Sequence, residues 1–395
     1  MKSEILAKYK NLNDKSKLPI VNQIVAYLES EDEIDDRGNK IIKINFPGND
    51  TYNFNSRIKD EDLQPIGISF VSYKTNFTIL NLSYNKITDR GVLFIAKLLE
   101  KAENITEVDL SGNRIGDLGC KELSASLSKK LYLDSLNLNT NIIGNSGIMY
   151  INELLFTNPA IINLDVGNNR YDWDGLIAIT TALTSTNSTL KVLNVDDPMY
   201  KIQDQDFFTH FGKMFMSNKG LQKLSLKLHK LRFEGVNILT HHLKLNYTMR
   251  VLDLSCNQIC FQGVKFISDY IAESKTSLQS IILSNNKLGN QGAKIFAQGI
   301  AYNRSIVHVD LTSNMISDEG ICRLAEGFAE NESVVSLKLF WNNKFDLDGM
   351  NMFYELLKIK NEFYPDFTIY YDETGDIGIA YLETHVPNEV DYLVK

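Results

Sequence analysis

No uninterrupted apolar run in this sequence is long enough to cross a bilayer. The opening residues, MKSEILAKYKNLND, scatter charge where a signal peptide needs an apolar core. The expectation is a chain that works in the cytoplasm and does not engage a membrane. Basic charge is also short, with 41 Lys and Arg against 49 Asp and Glu and a net charge of −8. Binding to a phosphate backbone needs clustered Lys and Arg, so nucleic acid is not an expected partner. Cysteine is sparse: Cys120, Cys256, Cys260 and Cys322 fall at scattered positions and read as small buried hydrophobes. A zinc site can be drawn from Cys256, Cys260, His241 and His242, but the spacing matches no finger pattern, and no metal is expected.

What is present is a repeat. In ITEVDLSGNRIGDLGCKELSASLSKKLY, from Ile105 to Tyr132, apolar residues at 105, 108 and 110 lead to Asn113, the L-x-x-L-x-L-x-x-N half of a leucine-rich repeat. Gly119 follows, then Leu123 and Leu127 at helical spacing. One such unit cannot bury its own apolar face and is stable only when stacked on copies of itself. The Asn position falls at 49, 85, 113, 141 and 169, then at 257, 286, 314 and 342, a period of about 28 residues wherever the pattern is clean. That length accommodates a strand plus a full helix per coil. The Asn amide is expected to satisfy loop backbone groups of neighbouring coils as a buried ladder. The Gly six residues later (Gly91, Gly119, Gly147, Gly175 and their counterparts) allows close helix packing or an unusual backbone conformation. Asn76, Asn104, Asn187, Asn218, Asn246, Asn303 and Asn331 precede strands and read as helix C-caps. Several of them also form Asn-x-Ser/Thr triplets, which without secretion are not glycan sites.

The predicted architecture is an α/β leucine-rich-repeat solenoid, a horseshoe with parallel strands on its concave face and helices on its convex face. Residues 1–40 form a helical N-terminal cap, with helices over Lys2–Leu12 and Pro19–Glu31, the latter with Pro in its first turn and Ile20, Ile24 and Leu28 on one face. Residues 41–361 hold about eleven coils, irregular at 190–235, where Pro198 and then His229 stand at the Asn position. That irregular stretch is either a change of curvature or a docking loop. Residues 362–395 form a C-terminal hairpin cap and tail, because FTIYY and IGIAYLE flank Glu-Thr-Gly-Asp.

Turn sequences such as LSGNRIGDLG and LTSNMISDEG resemble the ribonuclease-inhibitor-like leucine-rich repeats, a group that includes Ran GTPase-activating proteins. Within that group, LNVDDPMYKIQDQDFFTHFGKMFMSNKGLQKLSLKLHKLRFEG, KLFWNNKFD and DIGIAYLE resemble the leucine-rich repeat-containing protein 34 family across roughly residues 40–384. The resemblance implies a non-enzymatic interaction protein of ciliated and germ-line cells, a structural subunit of an axonemal assembly such as a radial spoke, or a nucleolar adaptor. The alternatives are a Ran-type GTPase-activating regulator, whose usual long acidic tail is not seen here, and a nucleolar or cytosolic adaptor.

No catalytic constellation is expected and no cofactor. GNQGAK at 289–294 lacks the spacing of a phosphate loop, and the six histidines share no motif with the cysteines. Candidate binding residues are those the repeat pattern points away from the core: Tyr84, Glu107, Asp109, Asp165, Asp196 and Asp197 on the N-terminal half of the concave face, and Phe340 and Trp341 in the last coil. The acidic set would orient a basic segment of a protein partner. Phe340 and Trp341 either anchor that partner or pack beneath the terminal hairpin.

Overall fold

The computed structural model describes residues 1–49, 56–199, 205–273, 276–341, 343–360 and 362–382. It divides into two compact units, one of Met1–Asn194 with Pro198–Tyr200 and one of Val195–Asp197 with Lys201–Lys395. Each is a leucine-rich-repeat solenoid in which strand and helix alternate along the chain.

The first unit opens with helices α1 (Lys2–Ser16) and α2 (Asn22–Glu29). Pro19 lies before α2 rather than inside its first turn, and Ile20 is exposed while Ile24 and Leu28 are buried. A short strand, β1 (Glu33–Ile34), pairs antiparallel with β2 (Lys40–Asn45), so this end is sealed by a hairpin as well as by helices. The turn is tied by Asp35, which accepts the backbone N–H groups of Arg37 and Asn39. The coils then follow: β2, α3 (Asp60–Phe70), β3 (Phe77–Asn81), α4 (Asp89–Lys101), β4 (Glu107–Asp109), α5 (Asp117–Leu127), β5 (Ser135–Asn137), α6 (Asn145–Thr157), β6 (Asn163–Asp165), α7 (Trp173–Ser185) and β7 (Val192–Asn194). From β2 onward every pairing is parallel and in sequence order.

In the coil that starts at Ile105, Ile105, Val108, Leu110, Ile115, Leu123 and Leu127 are all fully buried. At about 25 cal/mol per Å² of apolar area removed from water, such a sextet is worth on the order of 10 kcal/mol, provided neighbouring coils cover it.

Three ladders bind coil to coil. In the first, Asn113 Nδ2 donates to Leu110 O of its own coil and to Leu82 O of the coil before, while its Oδ1 accepts Ile87 N–H. Asn85, Asn141 and Asn169 repeat the pattern; Asn49 stands in register but is exposed. In the second, the first residue of a helix accepts backbone N–H groups of the next coil: Asp89 from Gly116 (2.6 Å), and Asp117 from Gly144 and Gly147. In the third, Asn158 and Asn187 donate to carbonyls about one coil back, at Leu127 and Leu155. Lys130 reaches Glu100 O and Ala102 O by the same route. Asn187 follows the end of α7, near its expected place, and Asn158, which was not expected, caps α6 with an extended backbone (φ −122°).

The repeated glycines serve close packing. A Cβ on Gly119 would lie 2.6 Å from both Asp89 Oδ1 and Ile115 Cγ2, and its φ is not left-handed.

In the second unit a 3₁₀ turn, Asp206–Phe208, leads into α8 (Thr209–Ser217). Then come β8 (Lys223–Ser225), α9 (Phe233–Leu243), β9 (Val251–Asp253), α10 (Phe261–Ile271), β10 (Ser280–Ile282), α11 (Gly289–Tyr302), β11 (His308–Asp310), α12 (Asp318–Glu330), β12 (Ser336–Lys338) and α13 (Leu347–Ile359). A two-residue strand, β13 (Tyr364–Pro365), extends the parallel set by pairing with β12. The same ladders recur at Asn257, Asn286 and Asn314, and at Asn246, Asn303 and Asn331. Asn246, Asn303 and Asn331 are at most 4% exposed, so no glycan could be attached without unfolding.

In the last coil the rung is Asn343, whose Oδ1 accepts Ile316 N–H and whose Nδ2 donates to Leu311 O and Leu339 O. The expected Asn342 lies outside the described residues, and the rung is one residue later because the turn carries an extra residue beside Phe340. Strands β14 (Phe367–Tyr371) and β15 (Ile377–Tyr381) form the predicted antiparallel hairpin, its turn held by Asp372. Phe367 packs against Phe345 and Phe353, with ring centroids 4.9 and 5.2 Å away. The tail from His385 onward lies outside the described residues.

Candidate functional site

In a parallel array every strand presents alternate side chains on the face opposite the helices. In the first unit the register aligns Asn81, Asp109, Asn137, Asp165 and Asn194 in one row, and Ile79, Glu107, Ser135, Asn163 and Val192 in the next. Two pairs within the first row are bonded side chain to side chain, and Asn139 of the adjoining turn adds a third bond. Asn137 Nδ2 donates to Asp109 Oδ2 (3.2 Å), and Asn139 and Asn194 donate to the two oxygens of Asp165 (2.8 and 3.0 Å). Each carboxylate also closes the turn that follows it, Asp109 by accepting Ser111 N–H and Asp165 by accepting Gly167 N–H.

Asp109 and Asp165 are therefore fixed, and amides bond them without neutralising them. Among the described residues no Lys or Arg forms an ion pair with Glu107, Asp109 or Asp165. Burial, with Asp109 and Asp134 nearby, pushes the Glu107 carboxyl above its usual range. Burial likewise raises Asp165, against the lowering pull of its hydrogen bonds. The interleaved Asn residues are members of this site that the sequence reading missed. Their signal was a run of Asn or Asp one residue after the central apolar position of each strand.

Tyr84 lies at the edge of the same face with a left-handed backbone (φ 57°) and a half-exposed ring. That ring covers Gly112 of the next coil, which has no room for a Cβ: the nearest ring carbon would be 2.5 Å away.

Asp196 and Asp197 do not join this group. Strand β7 ends at Asn194, its outward positions are Val192 and Asn194, and both aspartates belong to the second unit. Asp196 is 6% exposed and accepts Ser225 Oγ–H (2.6 Å) and Lys227 N–H (2.8 Å). Burial pushes its carboxyl up to about 6. Asp197 is exposed with φ 48°. Asp165 pairs with Asn194, so Asp196 and Asp197 stand in the turn, at the places that Gly167 and Asn168 hold one coil earlier.

In the second unit Lys227 pairs with Asp253 at 3.0 Å, so acid there is partly neutralised. Phe340 and Trp341 meet Tyr381 of β15, with centroids 5.7 and 5.1 Å apart. The contact with the hairpin is thus made, yet Trp341 is still 52% exposed and Tyr381 42%. The cluster walls a groove of about 650 Å³ that Lys344, Asp318 and Ile379 also line.

His229 replaces Asn in its ladder, buried against Phe208 and Phe211. His308 is buried with Nδ1 2.9 Å from Ser336 Oγ. Burial drives both imidazoles down to about 4, so neither is a base tuned for neutral pH. Among the described residues, no group of three His, Cys, Asp or Glu side chains could hold a metal ion. No helix there is long and apolar enough to cross a membrane.

The leucine-rich-repeat family model matches residues 73–96, 101–124, 246–268, 274–297 and 302–325. Leucine-rich repeat-containing protein 34 of Mus musculus is 31% identical over 104 residues, 26% of this chain and 25% of that protein. Its Homo sapiens counterpart is 32% identical over 69 residues, 18% of this chain and 15% of its own length. Leucine-rich repeat-containing protein 45 of Gallus gallus is 32% identical over 103 residues, 26% of this chain and 14% of that protein. The chain thus spans about a quarter or less of the length of these relatives, a shorter likeness than the motifs across residues 40–384 suggested.

Proposed function

We propose that this chain, a leucine-rich-repeat protein with partial similarity to leucine-rich repeat-containing protein 34, is a non-enzymatic scaffold that binds other proteins. The observation that carries the reading is the row Asn81, Asp109, Asn137, Asp165 and Asn194, in which Asn137 bonds Asp109, Asn194 bonds Asp165 and Asn81 accepts Ser83 N–H. A partner meeting it need not pay to order those side chains, because their hydrogen bonds have already done so. Glu107, Asp109 and Asp165 contribute negative charge that no cation cancels, and this suits a basic helix or tail. Such charge sets approach and register more than final affinity.

In the second unit Phe340 and Trp341 supply apolar surface. A buried Trp anchor costs roughly 2–4 kcal/mol when truncated, whereas an exposed ion pair is worth about 0–1 kcal/mol. The aromatic cluster therefore offers affinity to what binds the second unit, and the acidic rows offer orientation to what binds the first. Tyr84 adds a second exposed ring, while Asp196 and Asp197 contribute little, one being buried and both lying off the row.

The assembly we assign is a large cytoskeletal one in the cytoplasm, a ciliary axonemal complex of the radial-spoke kind, on the strength of the family resemblance. The test is fractionation of detergent-extracted cilia. Retention on axonemes until high salt is the expected result, and quantitative release by detergent alone would remove the axonemal placement.

A further inference from the structure

In the first unit, from Asn85 onward, the residue directly after each Asn rung is exposed, and its backbone N–H donates to the preceding coil. Lys86 bonds Ile58 O, Arg114 bonds Ile87 O, Ile142 bonds Ile115 O and Arg170 bonds Ile143 O, all within 2.8–3.0 Å. Lys59 stands beside Lys86 through a parallel bridge. In a chain where acids outnumber bases, the described residues at this place in the first unit are Lys86, Arg114, Ile142 and Arg170; Asp50, which follows Asn49, lies outside the described residues. Lys230, Lys287 and Lys344 hold the same place in coils of the second unit.

The carboxylates at the starts of α3, α4 and α5 accept backbone N–H groups of the next coil. Asp60 accepts Thr88 N–H, Asp89 accepts Gly116 N–H and Asp117 accepts Gly144 N–H. Apart from a 3.9 Å approach of Lys59 to Glu61, the described residues form no ion pair with these cations. Lys86, Arg114 and Arg170, exposed and with no ion pair among the described residues, are positioned for an external acid.

We propose that Lys59, Lys86, Arg114 and Arg170 form a docking strip for an acidic, extended segment of a partner protein. Parallel coils repeat at about 4.8 Å, so Lys86 to Arg170 spans roughly 14 Å, the length of about five extended residues at ~3.3 Å each. Ile142 interrupts the cations, so the matching segment carries carboxylates towards both ends and an apolar residue between them. A nucleic acid fits less well. Asp109 on the strand side and Asp89 and Asp117 on the helix side flank the strip, and a continuous polyphosphate would meet them. This strip is distinct from the acidic strand face and calls for a partner of opposite charge.

The test uses the full chain and fluorescence anisotropy. The probes are a labelled peptide, Glu-Asp-Glu-Leu-Glu-Asp-Glu, its Gln/Asn analogue, and a single-stranded oligonucleotide of equal charge. The acidic peptide should bind at 50 mM salt at least tenfold more tightly than the analogue and the oligonucleotide, and weaken as salt rises. Lys86→Glu with Arg114→Glu should cut that affinity at least tenfold. Lys97→Glu with Lys121→Glu, on exposed positions of α4 and α5, should leave it within twofold. Thermal melts of both double variants should match the parent, because all four side chains are exposed. Equal binding of peptide and analogue, equal loss in the two variants, or preference for the oligonucleotide would each overturn the proposal.

Discussion

His229 Nε2 lies 2.9 Å from the carbonyl oxygen of Val195, taking over the contact that an Asn amide makes to the preceding coil elsewhere in the array. Donation to that carbonyl places the proton on Nε2, and Asn257 Oδ1 accepts Leu231 N–H to carry the ladder on. His229→Ala removes a ring wedged beside Phe208 and Phe211 and strands a buried carbonyl. The expected loss is about 2–4 kcal/mol in urea unfolding, from the cavity and the unpaired acceptor together.

The ladder makes a sharper comparison inside the first unit. Asn141 donates to Leu110 O and Leu138 O and accepts Ile115 N–H, so Asn141→Ala should cost about 2–4 kcal/mol. Asn49→Ala, at the same repeat position but exposed, should stay within about 0.5 kcal/mol. Denaturant curves of the two variants read the difference directly.

Gly119→Ala would gain about 1 kcal/mol of helix propensity. It must still force a Cβ within 2.6 Å of Asp89 Oδ1, the oxygen that receives Gly116 N–H. We expect net destabilisation of about 1–2 kcal/mol from overpacking, seen as a lower melting temperature.

Acid should weaken the fold through its buried histidines. Folding depresses His229 and His308 from 6.5 to about 4, so between those values the unfolded chain binds protons that the fold refuses. Their contribution is complete above pH 6.5 and is lost as the pH falls towards 4. Asp196 works in the opposite sense: raised from 3.8 to about 6, it takes up its proton first in the folded state, and that stabilises as pH falls through the same window. His229→Asn should therefore lose less stability than the parent between pH 6.5 and 4.5, by up to about 1.4 kcal/mol per pH unit. Asp196→Asn should lose more. Urea titrations at pH 7.0, 5.5 and 4.5 check both signs.

At the C-terminal end two aromatic residues should separate stability from binding. Phe345 stacks on Phe367 of the hairpin, and Phe345→Ala should destabilise by about 2–4 kcal/mol. Trp341 is half exposed, so Trp341→Ala should leave the melting temperature almost unchanged while weakening partner capture at least tenfold.

Most of the fold could be read from periodicity, because each coil buries the same apolar positions and each Asn rung has the same partners. What escaped had a local cause. The extra residue beside Phe340 moves the last rung to Asn343, and with two asparagines adjacent a spacing count cannot choose between them; the pairing does. Asn158 carries its part of the C-terminal ladder in an Asn-Pro sequence, outside the Asn-x-Ser/Thr pattern that exposed its counterparts. Hairpin β1–β2 hid in an acidic stretch too short to show alternation. At the site, Glu107, Asp109 and Asp165 were legible because they flank regular strand apolar positions. Asp196 and Asp197 were misplaced because the outward row passes through Asn194, and the two aspartates follow it in the turn.

The central claim is that the strand face binds a protein partner. Its most direct test is quantitative affinity purification of the tagged full chain from the cells that express it. Three forms are compared: the parent, a strand-face variant (Glu107→Lys, Trp341→Ala) and a helix-face variant (Met149→Ala, Phe156→Ala). A protein should be recovered in near-stoichiometric amount with the parent and the helix-face variant and lost from the strand-face variant, with all three melting alike. Stoichiometric recovery with the strand-face variant, or its loss from the helix-face variant alone, would contradict it.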